Sequence, residues 1–334
     1  MKVLFIGGTG NISAASSRRA VERGIELHLL NRGKREGGIA GARSIVADIS
    51  RPADAAKALA GQTWDAVVNW IAFTPADVER DLALFGGRTR QYIFISSASA
   101  YQKPLRHPVI TESTPLANPF WEYSRNKIAC EERLNQACRD TGFPGVIVRP
   151  SLTYDTVIPL AIGSWNDYTM IDRMKKGRPV VVHGDGTSLW TVTHSDDFAK
   201  GFVPLLGNEE AIGHAFHITS DELLTWDQIW QYTARAAGGE ARIVHVPSDF
   251  ICAVADKMGQ GWMRGNLFGD KAVSAIFDNS KIKRFAPGFV ATIPYRDGIA
   301  RTLRWFEADP KRMRIVDGNN EMHDAILAAW DAKR

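Results

Sequence analysis

Cysteine is scarce. The 334 residues include three, Cys130, Cys138 and Cys252, an odd number without CxxC or zinc-ligand spacing. This speaks against a disulfide framework and predicts reduced thiols in a cytoplasmic compartment. Long apolar runs are also missing: none approaches the ~20 residues that span a bilayer. Residues 1–6 run into glycine too soon for a signal-peptide core, so a soluble chain with no membrane partner is expected. The net charge is only +4, and no clustered basic–aromatic stripe is present, so no nucleic-acid partner is expected. His183 and His194 lack metal-ligand spacing, and no metal is expected. There is no Gly-x-Ser-x-Gly elbow, which argues against a serine hydrolase. Internal repeats, low-complexity tracts and long linkers are absent too.

What remains is an ordinary globular composition, 45% apolar and 23% charged, enough for a large core. Up to residue 150 the pattern alternates. Short, nearly continuous apolar runs at 3–6, 26–30, 44–46, 66–69, 92–96 and 146–149 predict strands. Helical patterns at 12–22, 52–59, 75–84 and 121–139 fall between them. Buried strands separated by helices predict a doubly wound, Rossmann-like parallel sheet. After residue 150 the rhythm loosens. Isolated strands are expected at 179–182, 189–193, 216–219 and 242–246, with helices at 226–237 and 297–306. The chain thus divides into a dinucleotide-binding domain over 1–150 and a smaller C-terminal substrate-binding lobe over 151–334, with some later segments returning to the first domain.

The turn Gly7-Gly8-Thr9-Gly10-Asn11-Ile12-Ser13 follows a predicted strand and opens a predicted helix. Glycines there permit a tight turn and let backbone amides approach a pyrophosphate at the positive helix end. Gly7, Thr9, Gly10, Asn11 and Ile12 are therefore cofactor candidates. Ser13 holds the third small position. The lack of a following Gly-Lys-Ser/Thr argues against a nucleoside triphosphatase. About 20 residues on, where an NAD site presents an acid, strand two ends in Asn31-Arg32-Gly33-Lys34-Arg35. Arg32 beside Asn31 suits a 2′-phosphate, so the expected cofactor is NADP or NAD, with NADP favoured. The alternative is a solvated basic loop. Asp48 and Ile49, after strand three, either meet the adenine edge or shape a turn.

Tyr123 and Lys127 lie four apart on a predicted helix and share a face. A nearby ammonium favours the phenolate and lowers the phenol pKa, which suits proton exchange with a substrate oxygen. The cluster Ser96-Ser97-Ala98-Ser99-Ala100-Tyr101 supplies a hydroxyl at the carboxyl end of the sheet. With the glycine turn, the serine cluster, Tyr123/Lys127, Arg149-Pro150, Gly184-Asp185-Gly186 and Asp197, the sequence resembles the extended short-chain dehydrogenase/reductases, the group of nucleotide-sugar epimerases and dehydratases. That resemblance implies Ser97 as catalytic serine, Tyr123 as acid/base, and Lys127 also on the nicotinamide ribose. It further implies residues 69–72, including Asn69 and Ile71, along the cofactor and Pro150 near the nicotinamide. A homodimer through helices 75–84 and 121–139 is implied as well.

The pattern departs from that group at Trp190, which stands where a diphosphate-binding arginine is expected. A sugar or polyol ring without a nucleotide is then the expected substrate. Phe73, Ser99 and Trp190 are the substrate candidates, with Trp70, Trp121 and Trp165 as further possible walls; core packing is the competing role for the tryptophans. Three functions follow: an epimerase or dehydratase that recycles its cofactor, a reductase or dehydrogenase that exchanges it, or a non-catalytic cofactor-sensing or RNA-binding relative.

Overall fold

A computed structural model describes residues 1–33 and 38–333. Strands β1 (Lys2–Ile6), β2 (Glu26–Asn31), β3 (Arg43–Val46), β4 (Ala66–Asn69) and β5 (Tyr92–Ile95) form one sheet with Gly145–Pro150 and Ala215–Ile218. All its pairs are parallel. The spatial order runs from Ala215–Ile218 through Gly145–Pro150, β5, β4, β1 and β2 to β3. The order reverses between β1 and β4. In such sheets ligands bind in the crevice beyond the strand ends at that reversal.

The alternation of β1 explains the two covering layers. Val3 and Phe5 face one way, with Leu27, Val68, Ile93 and Val148, onto Ala20 of helix α1 (Ser13–Glu22) and onto Phe198 and Phe202. Leu4 and Ile6 face the other way. They meet Ala55 of α2 (Pro52–Ala58), Val78 and Phe85 of α3 (Pro75–Phe85), and Leu134 of α4 (Glu122–Thr141). Burying both faces is what makes these strands read as unbroken apolar runs.

The later chain returns to this sheet. The strand expected at 216–219 is its edge strand Ala215–Ile218. The helix Ser195–Phe202 lies over the same face as α1. Its first turn is capped by His194, whose Nδ1 accepts from the Asp196 amide at 3.2 Å. Asp197 instead accepts the Thr292 and Ile293 amides. The remaining second half has its own apolar core, built around Trp190, Trp226, Trp230, Tyr295 and Phe306. The three cysteines are free. Among the described residues, no helix is long and apolar enough to cross a membrane.

Candidate active site

A cleft of about 1110 Å³ runs over the strand ends, from β2 and β3 past the glycine turn to the start of α4. Gly7 and Gly8 have φ of 94° and 98°, a backbone region that L side chains rarely adopt. Gly8 is the stricter: a Cβ there would stand 2.6 Å from a Leu29 methyl carbon. Gly8 is not among the cofactor candidates above, although the sequence places three glycines within four positions there. Ser17 Oγ donates to Gly8 O at 2.8 Å and Gly10 N donates to Ser13 Oγ at 2.8 Å, so serines of α1 brace the turn. The α1 N-terminus has no side-chain cap and no acidic residue in its first turn. Its N-terminal amides and dipole fit an anionic pyrophosphate. Thr9, Gly10 and Ile12 line the cleft there. Asn11 lines it too, but its side chain is committed to the second half of the chain. Its Nδ2 donates to Thr153 O at 2.8 Å and its Oδ1 accepts from Thr156 N at 3.3 Å.

At the far end of the cleft, Asn31 Oδ1 accepts from the Gly33 amide at 2.9 Å and shapes the turn that exposes Arg32. Asp48 Oδ1 accepts from Ser50 N at 3.0 Å and Ser50 Oγ at 2.7 Å. Those bonds hold its carboxyl below the usual range, with Arg32 adding to the effect. Asp48 and Ile49 both line the cleft. Lys34 and Arg35 lie outside the described residues.

Tyr123 and Lys127 sit on the first turns of α4. The Tyr123 hydroxyl lies close enough to Ser97 for that hydroxyl to favour its phenolate. Ser97 closes the short turn Ala98–Ala100, its Oγ accepting from Ser99 N at 3.2 Å. Ser99 Oγ lies 2.9 Å from Ser97 Oγ. Lys127 Nζ donates to Ala72 O at 2.7 Å and Ile95 O at 2.8 Å, between the rings of Phe73 and Phe94. The expected effect of lysine on tyrosine is not what dominates here. Burial pushes the Tyr123 phenol up to about 12 despite the opposing influence of Ser97. Burial also lowers the Lys127 ammonium to about 8. The lysine is spent on two carbonyls, and its Nζ stands 5.8 Å from the Tyr123 ring centroid.

Ile71, Phe73, Ser99 and Pro150 line the cleft as expected. Two candidates do not. Asn69 is fully buried beneath it, donating to Asp81 and accepting from Ile71 N at 2.8 Å. It fixes the bend that carries residues 70–73 rather than facing a ligand. Trp190 is 1% exposed, packed 5.7 Å from Trp226. The short antiparallel pairing of Leu189–Trp190 with Leu224–Thr225 directs it into the lobe's core. Trp121 and Trp165 do line the cleft, as do Asp270 and Lys271, which the sequence did not single out. They come from a segment without motif or periodicity that only the fold brings to the site. Beneath the serine cluster, Arg149 forms a buried two-bond pair with Glu131, which also accepts from Ser96 Oγ.

Comparison with known proteins agrees with this geometry. The model of the NAD dependent epimerase/dehydratase family matches residues 3–219. The chain is 27% identical over 290 residues to 2′-dehydrokanamycin reductase of Streptomyces kanamyceticus, covering 86% of this chain and 80% of that protein. It is 27% identical over 265 residues to the chloroplast stem-loop binding protein of 41 kDa b of Arabidopsis thaliana, covering 75% of this chain and 67% of that one. Among solved structures, dTDP-glucose 4,6-dehydratase of Bacillus anthracis in complex with NAD superposes with a TM-score of 0.71 at 16% identity, covering 93% and 98% of the two chains. The family match takes in all seven sheet strands, the glycine turn, the serine cluster and α4, and on that ground the chain belongs to the NAD dependent epimerase/dehydratase family, as an enzyme of the extended short-chain dehydrogenase/reductase class.

Proposed function

We propose that the protein is an NAD(P)-dependent oxidoreductase that reduces a ketone on a sugar- or polyol-like ring, or oxidises the corresponding alcohol, with Ser97, Tyr123 and Lys127 as its catalytic centre. The observation that carries this reading is that Ser97, Tyr123 and Lys127 come together in the wall of one cleft, with Ser97 close enough to act on the Tyr123 phenol. NAD(P), when bound, supplies or takes up the hydride. Tyr123 keeps its proton at neutral pH and donates it to the substrate oxygen, which favours the reductive direction. Ser97 orients that oxygen. Lys127, on the same helix face, braces the loops on either side and offers its remaining N–H to the cofactor ribose. Phe73 and Ser99 flank the substrate. Likeness to 2′-dehydrokanamycin reductase supports a ring without a nucleotide, and buried Trp190 offers no cation to a diphosphate.

Arg32, exposed at the end of β2, favours NADP over NAD; equal affinity for the two in a titration would remove that preference. The free thiols suit a cytoplasmic setting. The α3/α4 surface, linked by the Arg133–Glu79 pair, is the homodimer face, and light scattering showing a monomer at micromolar concentration would refute this.

Likeness to the stem-loop binding protein favours a second reading, RNA binding on the same scaffold. One experiment separates the two. Tyr123→Phe is compared with the wild type for NADPH oxidation against keto-sugars and for retention of a stem-loop RNA. Loss of turnover by orders of magnitude at unchanged melting temperature supports the oxidoreductase. Tight RNA binding by both proteins, with no turnover by either, supports the alternative.

A further inference from the structure

The turn Leu267–Lys271 is a single π-type turn, closed by Ala272 N donating to Leu267 O at 2.8 Å. Such turns are rare and concentrate at functional sites. This one is fastened from both sides. Asn118 Nδ2 donates to Gly269 O at 2.7 Å and to Ser99 O at 2.8 Å, tying the turn to the serine cluster. From beneath, Lys271 O accepts from His183 Nε2 at 3.0 Å and Trp226 Nε1 at 3.1 Å. The turn also lies directly on Trp121. A Cβ on Gly269 would come 2.9 Å from Trp121 Cβ, and one on Gly265 2.5 Å from Trp121 Cδ1. Its polar residue Asp270 is thereby held in the cleft wall on the Tyr123 side, close enough for its charge to act on that phenol.

We propose that Asp270 determines substrate specificity, its carboxylate accepting hydrogen bonds from ring hydroxyls of an uncharged polyol seated beside the indoles of Trp121 and Trp165. This rests on the reading above that Tyr123 marks the reaction centre. The charges decide the class. Lys271 is 1% exposed, with Nζ 3.0 Å from Asp270 Oδ2 and 2.8 Å from Asn266 Oδ1, and 5.3 Å from the Trp165 ring centroid. It neutralises the carboxylate from behind and occupies the position between the indoles that a substrate ammonium would want. A second buried ammonium, Lys103, lies against the Asp270 carbonyl at 3.5 Å. The site thus holds one cation more than it needs, which disfavours a cationic ligand. Lys103 is buried outside the cleft lining, and Lys271, although it lines the cleft, has its Nζ committed to Asp270 and Asn266, so neither is placed to pair with an anionic ligand. Oδ1 of Asp270 has no hydrogen bond among the described residues. It accepts a hydroxyl proton, while the indoles cover the apolar C–H face of the ring.

The test uses full-length protein with NADP present and three probes: methyl α-D-glucopyranoside, cyclohexanol and D-glucosamine. Binding is followed by calorimetry and turnover by NADPH formation. Asp270→Ala should weaken the glucoside about 10- to 100-fold, the range for one charge-assisted hydrogen bond, and leave cyclohexanol unchanged. Asp270→Asn, which keeps an acceptor oxygen and the shape of the turn, should recover part of the loss. The inference is overturned if wild type does not bind the glucoside, if Asp270→Ala changes neither probe or both equally, or if glucosamine binds more tightly than the glucoside. Glucoside binding that depends on Asp270 without any turnover would sink the oxidoreductase reading and leave this one standing. Turnover indifferent to Asp270 would do the reverse.

Discussion

Ser124 Oγ donates to Ser99 Oγ at 2.8 Å, and Ser99 Oγ stands 2.9 Å from Ser97 Oγ. Both Ser124 and Ser99 are buried. Ser124 has this one side-chain bond, so it points the donor–acceptor sequence along the row of hydroxyls towards Ser97. That row orients the Ser97 hydroxyl, which acts on the Tyr123 phenol. Removing Ser99 frees the Ser97 hydroxyl to rotate. Ser99→Ala is expected to lower kcat about 5- to 10-fold, equivalent to one hydrogen bond of ~1 kcal/mol. Binding of NAD(P) should be unchanged. Steady-state kinetics paired with cofactor titration checks this; a proportional loss in both would show a collapsed loop instead of a misoriented serine.

The sheet was legible because its central strands are buried on both faces, as Val3 to Ile6 are, although the edge strand β3 is largely exposed. The helix pair Tyr123/Lys127 and the glycine turn were legible because their spacing is local. Trp190 and Asn69 were not, since burial of a given side chain depends on partners distant in sequence. Nothing near Asn69 announces that Asp81 will bind it. Asp270 was invisible for the same reason, reaching the cleft only through Asn118, His183 and Trp226. The return of Ala215–Ile218 to the sheet likewise rests on pairing with Gly145–Pro150, a contact no local pattern encodes.

The proton balance of Tyr123 gives a direction to the pH profile. Its phenol, at about 12, stays protonated across the neutral range. Reduction, which needs the proton, should therefore be flat up to about pH 8. Oxidation needs the phenolate and should rise towards alkaline pH. Lys127, at about 8, loses its charge over that same alkaline range, so cofactor KM should increase above pH 8 in both directions. A full set of kcat and KM values from pH 6 to 10 tests this. An oxidation rate that falls with rising pH would contradict Tyr123 as proton carrier.

Gly8 is the position in the glycine turn with least tolerance. Its φ of 98° and the Leu29 methyl carbon 2.6 Å from an added Cβ both oppose a side chain. Gly8→Ala should cost about 1–3 kcal/mol from backbone strain and crowding together. Cofactor affinity should fall further than stability does if, as proposed, the shifted turn carries the amides that receive the pyrophosphate. Urea unfolding and NADPH titration on the same variant separate the two effects. A variant of wild-type affinity would mean that the turn relaxes without moving those amides.

Arg149 and Glu131 make the sharpest test of what supports the site. Their side chains are 5% and 0% exposed, the Nη2–Oε2 distance is 2.6 Å, and Glu131 also accepts from Ser96, next to Ser97. Two charges in so dry a place have paid desolvation twice, and their attraction does little more than offset it. Breaking the pair is different, because it leaves one charge buried without a partner. Arg149→Met alone should therefore cost about 3–5 kcal/mol in urea unfolding. The double variant Arg149→Met/Glu131→Met removes both charges and should recover most of that loss. Stability and activity should then part company. The double variant lacks the acceptor that fixes Ser96, so its kcat should stay low even where its unfolding midpoint returns. Full recovery of both would reduce the pair to a passive element of the core. Recovery of stability alone would make Glu131 the residue that couples helix α4 to the serine cluster.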